Sequence, residues 1–199
     1  MNLKGWHIIL GSNSPRRREL LKGLDIDLEV DTGNNFQEHF GPEVPFDKVP
    51  RLMSEGKSRG FHRPLGEKEI LITADTMVIL PPEGGRPGEI LGKPRDREDA
   101  IRMLRDLSGR KHHVTTAVTL RSADRQETFD VTTQVWFKAL SEEEITYYVD
   151  TYKPFDKAGA YAIQEWIGHA GITRIEGSYF NVVGFPVQRV YEALQRFIG

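Results

Sequence analysis

The sequence predicts an α/β protein with a mixed central sheet flanked by helices, the elements arranged in two lobes around a cleft. Three observations predict it. Strand-like and helix-like segments alternate along all 199 residues. The run ILITA at 70–74 is short, apolar and uninterrupted, the pattern of a strand buried on both faces. Two β-rich runs, 113–121 and 127–139, are joined by a polar turn and make the sheet mixed rather than purely parallel.

Each element has its own local reason. His7 to Leu10 is apolar enough for a short strand, and Ser14 followed by Pro15 marks a helix start, predicted to run to Leu24. Ile26 to Asp31 alternates as a strand, and Gly33, Asn34 and Asn35 break it into a loop. A helix is predicted over 46–60. Val78 to Leu80 and Glu89 to Leu91 flank PPEGGRPG, whose Pro and Gly content predicts a long hairpin turn over 81–88. Ala100, Ile101, Met103, Leu104 and Leu107 recur at helical spacing within 96–107, and Ser108-Gly109 closes that helix. Ser141, with three glutamates after it, begins another helix; a Gly-rich segment, 157–184, leads to a closing helix over 186–198. No internal repeat or linker divides the chain, so 1–199 reads as a single domain.

Composition bounds the function. With 38% hydrophobic and 28% charged residues the chain is an ordinary globular one, and no apolar stretch reaches transmembrane length. MNLKGWHIIL has one lysine and no small-residue cleavage site, so a secretory leader is not expected. The absence of cysteine rules out disulfides and thiolate metal sites and suits the cytoplasm. A net charge of −2 gives no reason to expect nucleic acid; a polyanion site would have to be a local concentration of Lys and Arg.

Such a concentration exists. Arg16, Arg17 and Arg18 occupy a first helical turn, where the backbone is already partly positive and acids are the usual residents. Exposed helix N–H groups, adjacent guanidinium groups and the hydroxyls of Ser12 and Ser14 would hold phosphate or carboxylate; alternatively the arginines only face solvent. Asp75, leaving the end of the predicted 70–74 strand, stands where open α/β sheets place ligand-binding groups, though it could equally cap a turn. Lys93, in GKP, is either a ligand contact or an exposed turn lysine. DKAGAYAIQ, 156–164, mixes small residues with Lys157, Tyr161 and Gln164 and could serve backbone packing alone. The six histidines form no HExxH-like pattern, and no serine sits in a G-x-S-x-G elbow, which disfavours a zinc hydrolase and a serine hydrolase.

The order of these motifs is more telling than any one of them. SNSPRR, a helix carrying Lys57, ITADT, LGKP, AIRMLRDLSGRKHHVTT, DKAGAYAIQ and GSYFNVVGFP together resemble the Maf family of nucleoside triphosphate pyrophosphatases, over about 8–191. The resemblance implies an elongated α/β fold with a cleft, like that of inosine triphosphate pyrophosphatases, a divalent cation (Mg²⁺ or Mn²⁺), and a homodimer. It also implies hydrolysis of a nucleoside triphosphate to the monophosphate and pyrophosphate. By motif, Ser12, Arg16 and Arg17 match the phosphate-binding residues, Asp75 the catalytic base, and Lys57 and Lys93 the catalytic lysines. Glu38, with Asp75, matches the metal-holding acids.

Gln164 and Thr76 resemble the branch acting on dTTP and UTP, whereas the branch acting on 7-methyl-GTP has glutamate in place of Gln164. A carboxamide both donates and accepts, matching the mixed edge of uracil or thymine; a carboxylate only accepts. Arg16, Thr76 and Gln164 therefore form the expected specificity set. The chain departs from the family at SEGKSRG around Lys57, at Lys153 in YKPF, at Glu165 where glycine is frequent, and in the length of the 81–88 turn. Two other functions compete: a house-cleaning pyrophosphatase for modified nucleotides, and a nucleotide- or RNA-binding regulator of cell division with no turnover.

Overall fold

Ile8 and Leu10 point to one face of their strand and Ile9 to the other, and all three are fully buried. That strand, β1 (His7–Leu10), lies between β2 (Leu28–Val30) and β3 (Glu69–Leu80), parallel to both. The computed structural model describes residues 3–85 and 87–199. Arg86, inside the predicted 81–88 turn, lies outside the described residues, as do Met1 and Asn2. Further along come β4 (Glu89–Leu91), β5 (Lys111–Arg121), β6 (Gln126–Phe137) and β7 (Ile172–Glu176). The seven strands form one mixed sheet in the order β2-β1-β3-β5-β6-β7, with β4 beside β3. The helices are α1 (Pro15–Lys22), α2 (Val49–Arg59), α3 (Arg97–Leu107), α4 (Glu142–Tyr152), α5 (Trp166–Gly171), α6 (Tyr179–Val183) and α7 (Val187–Ile198).

Contacts divide the chain into two compact units. The first comprises 1–75, 116–131 and 184–199. Its main core joins Ile8, Leu10, Ile70 and Ile72 to Phe185, Val190, Leu194 and Phe197, so one face of the parallel strands packs against α7. Ile9 and Leu71, on the opposite face, meet Phe61 and Leu65. The second unit comprises 76–115 and 132–183. Its core gathers Leu104 and Leu107 of α3, Ile145 and Tyr148 of α4, and Phe137, Tyr161 and Ile167. Asp96 caps α3 by accepting from the Asp99 N–H, and Ser141 with Glu144 forms the capping box that opens α4.

Three segments differ from the sequence reading. The strand predicted to end at Ala74 continues unbroken to Leu80. Asp75 and Thr76 look like a break because both are polar, yet β4 pairs with β3 at 78–80 and holds the extension in place. The helix predicted over 46–60 is a 3-10 turn (Phe46–Lys48) followed by α2, because Pro50 has no N–H to continue a helix that began earlier. The Gly-rich 157–184 segment contains α5, β7 and α6, each of only five or six residues. No helix among the described residues is long and apolar enough to cross a membrane.

Candidate functional site

The N-terminal turn is built by its serines. Ser14 caps α1 by accepting from the Arg17 N–H at 3.4 Å, and Ser12 Oγ accepts from the Ser14 N–H at 3.3 Å. α1 carries no acid in its first turn. Its three arginines part ways: Arg18 is exposed, whereas Arg16 and Arg17 are half-buried. Arg17 reaches inward, where Nη1 donates to Ala74 O at 2.8 Å and to Ser12 Oγ at 3.2 Å, and Nε donates to Gly184 O at 3.1 Å. Burial lowers its pKa, opposed by the nearby charge of Asp75. Arg17 thus ties the loop after β1 to the backbone beside Asp75. The sequence could not show this, because the Ala74 and Gly184 groups that it meets are main-chain carbonyls with no residue signature.

Helix α2 supplies the counterpart. Ser54 and Lys57, three apart on the helix, face Thr73 and Asp75, two apart on one face of β3. Ser54 Oγ donates to Thr73 O at 3.2 Å, and Thr73 Oγ1 donates to Ser54 O at 2.8 Å. Thr119 Oγ1, on β5, lies 2.9 Å from Ser54 Oγ and ties α2 to that strand as well. Arg121 donates to Ser58 Oγ and Ser58 O near the end of the helix. So held, the helix places Lys57 Nζ 2.6 Å from Asp75 Oδ1 and 3.0 Å from Glu38 Oε1.

Glu38 arrives there by close packing that the sequence reading missed. A Cβ at Gly56 would stand 2.3 Å from the Phe36 ring, and one at Gly60 would stand 2.6 Å from Asn34 Oδ1. Asn34 Nδ2 donates to Lys57 O at 2.6 Å. The two glycines let the 34–38 loop lie directly on α2. The visible signal was Gly56 immediately before Lys57, the departure noted in SEGKSRG.

Asp75 is nearly buried, at 9% exposure. Its pKa is raised above the ordinary carboxylate value, mainly because burial disfavours the charge; Lys57 and Arg17 oppose this, and Glu38 adds to it. Asp75 lies past the carboxyl end of β1, where Gly11 N–H donates to Ile72 O, and before the residues that pair with β4. Two carboxylates meeting one ammonium are a set of hard oxygen donors. They fit Mg²⁺ or Mn²⁺, which commonly takes one or two protein carboxylates and completes its shell with phosphate oxygens and water. No group of three or more such ligands is preassembled among the described residues.

Ser12, Arg17, Glu38, Lys57 and Asp75 are therefore brought together in the first unit, with Arg16 beside Arg17. Thr76, Lys93 and Gln164 belong to the second. Lys93 and Gln164 are both exposed, and their segments are joined where the Gly159 N–H donates to Gly92 O at 3.0 Å. Gly159 takes φ +68°, and a Cβ there would meet Val78 at 2.9 Å, so this approach requires glycine. Lys153 is the left-handed residue that ends α4, at φ +47°.

Comparison with known proteins adds three findings. A family model described as Maf-like protein matches residues 7–197. A dTTP/UTP pyrophosphatase of Bacteroides thetaiotaomicron is 45% identical over 98% of both chains, and one of Porphyromonas gingivalis is 46% identical over 98% of this chain and 96% of its own. Among solved structures, the Staphylococcus aureus Ham1 protein is similar with a TM-score of 0.52 and 15% identity, over 97% of this chain and 100% of that one. At that identity the likeness speaks for the fold alone.

Proposed function

The chain belongs to the Maf family, and on that premise we propose that it hydrolyses nucleoside triphosphates, dTTP and UTP foremost, to the monophosphate and pyrophosphate. The single observation that carries the reading is the part-buried contact of Asp75 with Lys57, beside Arg17 and Glu38. Near-full-length relatives named dTTP/UTP pyrophosphatase support the substrate class.

A triphosphate repels an incoming nucleophile, so the first task is to neutralise charge. Arg16, Lys57 and Lys93 bind phosphate oxygens, and positive charge there stabilises the pyrophosphate as it leaves. Ser12 adds a hydroxyl. Arg17, whose Nε and Nη1 are engaged by carbonyls and Ser12, contributes charge and holds the loop rather than offering free donors. Asp75 orients the attacking water and takes its proton. Burial raises its pKa, which makes it a stronger base than an ordinary aspartate, while Lys57 and Arg17 limit that rise and so help keep it ionised. A divalent cation bound by Asp75 and Glu38 would neutralise phosphate charge and acidify a bound water. Thr76 and Gln164 select the base, the carboxamide pairing with the mixed donor and acceptor edge of uracil or thymine.

We also propose that the chain works in the cytoplasm, where a protein without cysteine has no disulfide to lose, as the homodimer that the family resemblance implies. Asp75→Asn tests the site. Pyrophosphate release is expected to fall by at least about 10³-fold, within the range for loss of a general base, while the Kd for nucleotide stays within a few-fold. Turnover near the wild-type rate would remove Asp75 from the mechanism.

A further inference from the structure

We propose that Tyr148 and Glu165 are positioning residues that fix the backbone turn presenting Gln164, and that they thereby sustain discrimination of uracil and thymine from cytosine. The inference deepens the reading of Gln164 above and rests on it.

The chemistry sets the requirement. A carboxamide that can turn over end for end exchanges its donor and its acceptor. In one orientation it complements the N3–H and carbonyl of uracil; in the other it complements the bare N3 and amino group of cytosine. Gln164 can separate the two bases only if its orientation is held. Its side chain is exposed, and the backbone on either side sets where its carboxamide can reach.

The structure supplies such a constraint, all within the second unit. The Glu165 N–H donates to Ala162 O at 3.1 Å and closes a tight turn with Gln164 at its third position. One hydroxyl then bridges the ends of that turn. Tyr148 Oη accepts from the Ala162 N–H at 3.1 Å and donates to the Glu165 carboxylate. Tyr148 is fully buried and stacks on Tyr152 with ring centroids 5.0 Å apart, so α4 holds the hydroxyl in place. Burial first, then the Glu165 carboxylate, raises the tyrosine pKa, and the group stays a protonated donor.

Two further contacts seat the turn. The other Glu165 oxygen lies 3.4 Å from Lys157 Nζ, which also lies 2.7 Å from Asp156. Behind Gln164, Ile163 O packs so closely on Gly168 that a Cβ at 168 would stand 1.8 Å from it, and the Gly168 N–H donates to Glu165 O at 2.9 Å.

The test uses the purified full-length chain and steady-state hydrolysis of UTP and CTP. Gln164→Ala is expected to collapse the UTP-to-CTP ratio of kcat/KM. Tyr148→Phe and Glu165→Gly are each expected to lower it about tenfold, with kcat for UTP within about threefold of wild type. Glu165→Gln keeps an acceptor for the hydroxyl and is expected to retain most of the ratio. In a Gln164→Ala background, Tyr148→Phe should change the ratio no further, an outcome that general loosening of the fold would not produce. If Gln164→Ala leaves the ratio intact, the reading of Gln164 falls and the proposal with it. If Gln164→Ala collapses the ratio while Glu165→Gly and folded Tyr148→Phe leave it unchanged, positioning by these two residues is overturned and the reading of Gln164 stands. Should Tyr148→Phe fail to fold, the two Glu165 variants decide alone: equal ratios in Gly and Gln overturn the proposal.

Discussion

Replacing Gly56 with alanine sets two effects of opposite sign against each other. In the interior of α2, alanine is favoured over glycine by about 1 kcal/mol on helix propensity. The new methyl would stand 2.3 Å from the Phe36 ring, more than 1 Å inside ordinary contact, so the ring must leave its seat. Phe36 is half-buried, and displacing it forfeits about 1–2 kcal/mol of the 1.5–3 kcal/mol for complete burial of a large apolar side chain. Repacking strain adds about 1 kcal/mol. The net expectation is a loss of about 1–2 kcal/mol, or a fall in Tm of about 2–8 °C for a chain of this size. Function should suffer more than stability. Phe36 lies two residues from Glu38, and moving the loop withdraws that carboxylate from its contact 3.0 Å from Lys57. The assay is urea unfolding together with a Mg²⁺ titration of dTTP hydrolysis. Gly56→Ala should raise the metal concentration for half-maximal rate about tenfold, the effect of losing one ligand's support, and excess metal should restore much of the rate. A variant about 1 kcal/mol more stable than wild type, with an unchanged metal requirement, would refute the claim that glycine is required here to place Glu38.

Two other predictions concern the second unit. His112 is fully buried between Phe137 and Tyr161, with Nε2 2.7 Å from Tyr161 Oη and Nδ1 without a hydrogen-bond partner among the described residues; burial lowers its pKa from 6.5 to about 3. Since the unfolded chain takes up this proton first on acidification, the contribution is complete above about pH 6.5 and is lost at about 1.4 kcal/mol per pH unit towards pH 3. An NMR titration should find the His112 ring neutral at pH 5, and a midpoint above that would contradict the packing described. Gly168→Ala sets a methyl 1.8 Å from Ile163 O, a backbone atom that cannot turn aside. It should destabilise by about 3 kcal/mol and lower Tm by about 10 °C, and a thermal melt within 2 °C of wild type would show that the approach is not so close.

Much of the first unit was legible in the sequence because its signals are local. Ser14 and Pro15 fix the start of α1, with only residues 11–14 between it and a strand whose apolar run is unmistakable. Lys57 and Asp75 could be singled out as residue types, but their 2.6 Å contact depends on Ser54, Thr73 and Thr119 locking α2 to the sheet. Nothing in a sequence says which hydroxyls will pair across a helix and a sheet. The polarity of Asp75 resembles the end of a strand, whereas β3 runs on past it. The 157–184 segment resisted because its elements are short and its course depends on left-handed residues, among them Gly159, Ala160, Gly177 and Gly184. Glycine there permits tight reversals between elements, and composition alone cannot say which reversals occur. Tyr148 and Glu165 stayed invisible for another reason: they are 17 residues apart and meet only after α4 and the 157–165 segment have packed.

The central claim is hydrolysis between the α and β phosphates with selection for dTTP and UTP, and product analysis tests it most directly. Pure protein would be given dTTP, UTP, CTP, GTP, ATP, 7-methyl-GTP and a modified nucleotide in turn, with Mg²⁺, with Mn²⁺ and with chelator. The account predicts equal amounts of nucleoside monophosphate and pyrophosphate, the highest kcat/KM for dTTP and UTP, and no turnover with chelator. Release of orthophosphate, better turnover of 7-methyl-GTP or of the modified nucleotide, or binding without hydrolysis would contradict it.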